Sequence, residues 1–207
     1  MFPVVTDIVG LRLRKPRELL AAELSAELAS RRTFAECCAR LNAFKDREMF
    51  RIDMRHVTGV VPEFIDFARE LTDLAEAVIA GACELSEREV VARQKREGEA
   101  PADPNRFKRR ELSRHAGGSA GASLSQEKPN YCVAALGKLG GHELGFASDI
   151  ELLFVFDGPA PSEFCERLIE LFQQTIQAKR AGIFQIDLRL RPHGGAGNLA
   201  VSLDEFT

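Results

Sequence analysis

The sequence of 207 residues predicts an α+β fold, with an N-terminal helical bundle followed by a mixed sheet with packed helices. Residues 1–96 are rich in Ala, Leu and Glu at helical spacing, whereas residues 131–207 alternate strand-like runs with one amphipathic helix. Between them, residues 97–130 carry Pro, Gly, Ser and charge with little apolar periodicity. We therefore predict a helical domain, a linker or mobile insertion, and a core that is truncated at its C-terminal end.

The first half contains three or four segments with helical patterns. Pro16 stands at a position typical of a first helical turn, ahead of a run rich in Ala, Leu and Glu. A second helix is predicted over residues 33–59, and a third begins near Phe64 with apolar residues at helical spacing. Ser86 followed by Glu89 matches a capping box, which predicts the start of a further helix.

The last part of the chain alternates strands and a helix. Strands are predicted over residues 131–137 (YCVAALG), 149–156 (DIELLFVF) and 183–192 (IFQIDLRLRP), because each combines apolar and β-favouring residues. Residues 161–182 place their apolar side chains on one side of a helix that ends at a glycine. This order predicts a mixed sheet with a packed helix.

The composition argues against several classes of protein. A formal net charge of -3 gives no basic signature for nucleic acid, and no apolar run is long enough to span a membrane. The five cysteines include no CxxC pair, which argues against a zinc site and indicates buried thiols in a reducing compartment. The first residues lack the layout of a signal peptide, so we expect a cytoplasmic protein.

Acidic residues stand in two of the predicted strands. Because side chains alternate along a strand, Asp149 and Glu151 face one side, and Asp187 shares a face with Arg189 and Arg191. If the two strands are neighbours, three carboxylates converge, and they repel one another unless a cation lies between them. Such oxygen ligands suit Mg²⁺ or Mn²⁺. The pattern therefore predicts a site for a divalent metal ion.

Polar and glycine residues near these acids suggest contacts with phosphate. Gly140 and Gly141, expected at the end of the first strand, would let a phosphate approach backbone N–H groups. Lys138 and the two arginines could neutralise a triphosphate, and Ser148 adds a hydroxyl contact. Each feature alone has a more ordinary explanation, such as a turn, a solvated strand edge or surface ion pairs. Their combination in this order is more specific.

The order of these elements resembles the DNA polymerase β-like nucleotidyltransferases, whose pattern pairs a Gly-Gly or Gly-Ser turn with D-x-D or D-x-E. GKLGGHELGFASDIELLFVF, followed by IDLRLRPHGGAGNLAVS, is similar more closely to the glutamine synthetase adenylyltransferase family. That family comprises bifunctional enzymes that add and remove adenylyl groups. The resemblance covers residues 34–96 and 131–206, and it leaves the intervening segment as an insertion.

The resemblance implies a role for each matched position. Asp149 and Glu151 fall on the paired metal-binding acids and Asp187 on the third. The family usually has Asp where Glu151 stands, so the longer side chain would shift the metal geometry. The nucleotide-binding positions that the resemblance and the pattern together indicate are Lys138, Gly140, Gly141, Ser148, Arg189 and Arg191.

The implied reaction is transfer of AMP from ATP to a tyrosine of glutamine synthetase, or its removal by phosphorolysis, in regulation of nitrogen assimilation. Mg²⁺ or Mn²⁺ is the implied cofactor, and glutamine synthetase and a PII-type signalling protein are the implied partners. Two alternatives stay open: a catalytically weak module that binds nucleotide or a partner, and a nucleotidyltransferase with another substrate. Metal-dependent ATP binding tests the first alternative, and substrate identity tests the second.

Overall fold

The computed structural model describes residues 8–29, 32–99, 129–157, 163–178, 183–189 and 200–203. The helices are α1 (Ile8–Arg12), α2 (Arg17–Leu28), α3 (Phe34–Val57), α4 (Phe64–Glu99), α5 (Gly137–Gly140) and α6 (Glu163–Thr175). The strands are β1 (Tyr131–Ala135), β2 (Ile150–Phe156), β3 (Ile186–Asp187) and β4 (Ala200–Ser202). The fold is α+β, which confirms the prediction. Within these ranges no helix combines the length and apolar character needed to cross a bilayer.

Local sequence determines where α3 begins, whereas tertiary contacts decide the course of α4. The Thr33 hydroxyl accepts from the Glu36 N–H, and the Glu36 carboxylate accepts from the Thr33 N–H at 2.9 Å, which completes a capping box. The predicted helix start at Ser86 is wrong, because α4 continues through that residue. The buried Ser86 hydroxyl lies 3.3 Å from the Thr175 hydroxyl on α6, so its polar partner is in another helix.

Strand β2 is the centre of the sheet. It pairs antiparallel with β1, with Tyr131 opposite Phe156. It pairs in parallel with β3 at its start and with β4 at its end, where Phe154 lies opposite Ala200. The first residues of β2 therefore lie beside β3, which is the contact that the acid cluster requires.

The two faces of β2 differ in the way its alternating sequence predicts. Ile150, Leu152 and Phe154 are each about 1% exposed, whereas Glu151 is half-buried on the opposite face. Phe154 packs edge-on against Phe172 of α6 at a centroid distance of 5.0 Å. Helix α6 packs in turn on α4, so the sheet and the helical bundle share one continuous core.

Helix α3 carries an unusual set of buried charges. Arg55 forms two hydrogen bonds of 2.8 Å with the Glu70 carboxylate on α4, and both side chains are only 4% exposed. Glu48 binds Arg51 at 2.7 Å and Lys15 at 3.1 Å. Because every one of these charges has an opposite charge nearby, the network holds the segment before α2 against α3 at a defined position.

Lys45 connects the same helix to the far end of α6. Its side chain is 1% exposed and donates to the carbonyl of Gln177, just after α6. The Asn42 side chain also accepts from the Gln177 N–H at 2.9 Å and donates to the Thr175 carbonyl at 2.8 Å. The C-terminal end of α6 is therefore fixed by polar groups of α3.

Candidate active site

The first acids of the site lie at the start of β2. Asp149 immediately precedes the strand and is exposed, and Glu151 is its second residue. In the parallel pairing of β2 with β3, Glu151 is the direct partner of Asp187. The two acidic strands are therefore neighbours, and the side chains of all three acids start from one end of the sheet.

The third acid is held by a cation from its own segment. The Arg189 guanidinium donates to the Asp187 carboxylate at 2.6 and 3.0 Å, and the Arg189 backbone N–H donates at 2.8 Å. The hydrogen bonds from Arg189 lower the pKa of Asp187 below its ordinary value, although partial burial opposes the shift. The Arg189 side chain is 83% exposed, whereas that of Asp187 is 13% exposed. The Asp187 carboxylate is thus paired with a solvent-exposed partner.

An open cavity of about 340 Å³ lies at this end of the sheet. Its lining includes Asp149, Asp187 and Arg189, together with two amide side chains, Gln173 of α6 and Gln185. The sequence analysis missed both glutamines, because no motif marks them. Carboxylates, a guanidinium and amides together provide acceptors and donors suited to a charged, phosphate-bearing ligand.

Glu151 points its carboxylate towards Gly137, the first residue of α5. A Cβ atom built on Gly137 would lie 1.7 Å from Glu151 Oε2, so the carboxylate occupies the space beside the glycine. Among the described residues, no group of three or more His, Cys, Asp or Glu side chains is arranged to hold a metal ion. In this conformation the three acids lie at the same end of the sheet, but their carboxylates do not surround a common metal position.

The chemistry of the three acids still fits a divalent cation. All three supply carboxylate oxygens, the donors that Mg²⁺ and Mn²⁺ prefer. Neither Asp149 nor Glu151 has an ion pair within the part of the chain that the structure describes. Among the described residues, the ion pair that Asp187 forms is with the exposed Arg189.

Strand β1 ends earlier than predicted, so the Gly140–Gly141 pair does not stand at its end. Strand β1 ends at Ala135, whereas Gly140 ends α5 and Gly141 follows it as the C-cap. A Cβ on Gly140 would lie 2.5 Å from the Ala135 carbonyl oxygen, so this glycine allows close packing of α5 on β1. The glycine nearest the end of β1 is Gly137, two residues after Ala135, which the sequence analysis did not single out.

Of the three remaining residues with predicted nucleotide contacts, the structure describes Lys138 and Ser148. Lys138 lies on α5 with an exposed side chain. Ser148 is 5% exposed, and its hydroxyl accepts from the Gly145 N–H at 2.9 Å, which closes the loop leading into β2. Arg191 lies outside the described residues. Contacts of these residues with a nucleotide stay predictions.

Comparison with known proteins identifies the family. The sequence model of glutamate-ammonia ligase adenylyltransferase matches residues 10–108 and 106–207. This chain is similar to bifunctional glutamine synthetase adenylyltransferase/adenylyl-removing enzymes of several bacteria. The enzyme of Methylococcus capsulatus is 31% identical over 81% of this chain and 17% of its own length.

Two further relatives agree with this assignment. The Pseudomonas aeruginosa enzyme is 29% identical over 99% of this chain and 20% of its own length. The Aromatoleum aromaticum enzyme is 42% identical over 39% of this chain and 9% of its own length. The chain thus spans at most a fifth of the length of these relatives. By the extent of the family match, the chain belongs to the glutamate-ammonia ligase adenylyltransferase family.

Proposed function

We propose that this chain is the metal-dependent nucleotidyltransferase unit of a glutamine synthetase adenylyltransferase. The observation that carries the proposal is the pairing of Glu151 with Asp187 across β2 and β3, with Asp149 beside them. The names of the relatives support the substrate, glutamine synthetase, and the two directions, addition and removal of AMP. Regulation of nitrogen assimilation in the cytoplasm, with a PII-type protein as a further partner, belongs to the same proposal.

Asp149, Glu151 and Asp187 would hold Mg²⁺ or Mn²⁺. When bound, the metal would neutralise charge on the triphosphate and favour ionisation of the attacking hydroxyl. The carboxylates would aim a tyrosine oxygen at the α-phosphorus of ATP. A bond would form between that oxygen and the α-phosphorus as the bond from the α-phosphorus to the bridging oxygen breaks, pyrophosphate would leave, and the phenolic proton would pass to solvent.

Arg189 could bind a phosphate of the nucleotide in place of Asp187. Its side chain is 83% exposed, and among the described acids it forms an ion pair with Asp187 alone. Because an exposed pair is weak, a phosphate can replace the carboxylate as the partner of Arg189. The exchange would free Asp187 at the same time. Lys138, Gly140, Gly141, Ser148 and Arg191 complete the proposed contacts with nucleotide.

Two features favour a second function. The described acids form no closed group of three metal ligands, and Glu151 stands where the family usually has Asp. A catalytically weak domain that binds nucleotide or a partner would show these same features.

The direct test uses ATP labelled in its α-phosphate, Mg²⁺, and glutamine synthetase from the same source in unmodified and adenylylated forms. Label on the unmodified enzyme establishes transfer. Release of ADP from the adenylylated enzyme in the presence of phosphate establishes removal. Metal-dependent ATP binding without either reaction supports the weak module or another substrate, and absence of binding contradicts the whole proposal.

A matched pair of variants tests the acids. Asp149→Asn is expected to lower the rate about 100-fold or more, because it removes a charge aimed at the reacting groups. Asp157→Asn removes an exposed aspartate just after the other end of β2 and is expected to leave the rate unchanged. Both variants should melt near the wild-type temperature. Unfolding of Asp149→Asn, or equal rates in the two variants, would contradict the assignment.

A further inference from the structure

Gly137 joins β1 to α5 in a conformation that few residues adopt. Its φ is 53°, in the left-handed region. A Cβ atom there would lie 1.7 Å from Glu151 Oε2 and 2.8 Å from Glu151 Cδ. Both distances are far below van der Waals contact, so the carboxylate keeps its position only because this residue has no side chain.

Two other glycines show what is particular about Gly137. Gly59 has a φ of 74°, but a Cβ atom on it would have no other atom within 4 Å, so only its backbone conformation favours glycine. Gly140 would clash with the backbone of Ala135. Gly137 combines a left-handed conformation with a clash against one of the three acids.

The backbones of the two residues cannot move apart freely. The Leu136 N–H, directly before Gly137, donates to the Glu151 carbonyl at 2.9 Å. This bond continues the pairing of β1 with β2 and fixes the distance between the two main chains. A side chain at position 137 would therefore displace the flexible end of Glu151 rather than separate the strands.

We propose that Gly137 is a positioning residue, which leaves open the space that the Glu151 carboxylate occupies. The proposal rests on the proposed function in one respect, the role of Glu151 as a metal ligand. Glutamate reaches one methylene further than aspartate, so the glycine and the longer acid form a matched pair. Substitution at either position should change the effect of substitution at the other.

The test measures binding of Mn²⁺ alone by calorimetry, and thermal unfolding in EDTA, with the full chain of 207 residues. Gly137→Ala is expected to weaken Mn²⁺ binding about tenfold or more, as loss of a supporting residue does at metal sites. Gly59→Ala is the matched control: it should lower the melting temperature by about 2–4 °C through backbone strain. Its Mn²⁺ affinity should equal that of the wild type.

The decisive variant combines Gly137→Ala with Glu151→Asp. The shorter acid withdraws from the added methyl group, so the double variant should bind Mn²⁺ as Glu151→Asp alone does. Unchanged Mn²⁺ affinity in Gly137→Ala, or a double variant that binds Mn²⁺ more weakly than Glu151→Asp alone, would overturn the proposal. If Gly137→Ala does not fold, a folded double variant supports it and an unfolded one overturns it.

Failure of the proposed function can be distinguished from failure of the role of Gly137. If the wild-type chain does not bind Mn²⁺, the metal-binding role of the acids fails. The melting temperatures in EDTA then still test the spacing. Recovery of the Gly137→Ala loss by Glu151→Asp supports the matched pair, whereas additive losses overturn it.

Discussion

The ion pair between Arg55 and Glu70 in the helical bundle and the pair between Arg189 and Asp187 at the end of the sheet differ in their exposure to solvent. Arg55 and Glu70 are each 4% exposed and joined by two hydrogen bonds. Arg189 also binds a carboxylate through two nitrogens, yet its side chain is 83% exposed. A buried pair cannot separate without leaving an uncompensated charge, whereas an exposed one can. The Arg55–Glu70 pair is therefore fixed, whereas Arg189 and Asp187 can exchange partners.

The fixed charges also support the exchangeable ones. Lys45 and Asn42 hold the end of α6 through the carbonyl and N–H of Gln177. The same helix contributes Gln173 to the cavity that contains Asp149 and Asp187. Polar groups of α3 thus position one wall of the candidate site. The difference between the regions is a difference of role: one holds the frame, and the other is free to bind.

The largest effect is expected when the fixed pair is broken. Glu70→Gln keeps the size of the side chain but leaves the Arg55 charge buried, so the free energy of unfolding should fall by about 3–5 kcal/mol. Asp66→Asn, in the exposed Asp66–Arg69 pair of the same helix, should cost less than about 1 kcal/mol. Urea unfolding measures both. Equal losses would mean that burial does not separate the two kinds of ion pair.

A smaller effect is expected at the link between α3 and α6. Lys45→Met retains most of the buried volume but removes the donor to the Gln177 carbonyl, which should lower stability by about 1–3 kcal/mol. The exposed Lys138→Met serves as the control. Amide hydrogen exchange should also rise at the end of α6 in the first variant only. Unchanged exchange there would show that Lys45 does not hold the wall of the cavity.

The sequence predicts those features that depend on local spacing. The alternation along β2 separates Glu151 from Ile150 and Leu152, because successive strand residues face opposite sides. The family resemblance is confirmed. It could be recognised from the sequence because its motifs lie within short stretches. The fold class follows from the order of helical and strand patterns.

Features that depend on distant partners could not be predicted. Ser86 has the local pattern of a helix start, yet its hydroxyl lies beside Thr175, so α4 continues. The role of Gly137 depends on where the Glu151 side chain points, which no spacing within the GKLGG stretch reveals. Gln173 and Gln185 join the cavity only after α6 packs against the sheet.

The smallest effect tests the exchangeable pair itself. Arg189 lowers the pKa of Asp187 from its ordinary value of 3.8, so the pair stabilises the fold above that pH. Its contribution is lost as the pH falls below about 4 towards the lowered pKa, because the carboxyl becomes protonated. Arg189→Gln should therefore be slightly less stable than the wild type at pH 7, and the difference should shrink at lower pH. Urea unfolding from pH 7 to pH 3 measures it, and a gap that widens on acidification would contradict the pairing. If Arg189 also serves the nucleotide, this variant should bind ATP more weakly while its stability hardly changes, which is the behaviour expected of a charge that exchanges partners.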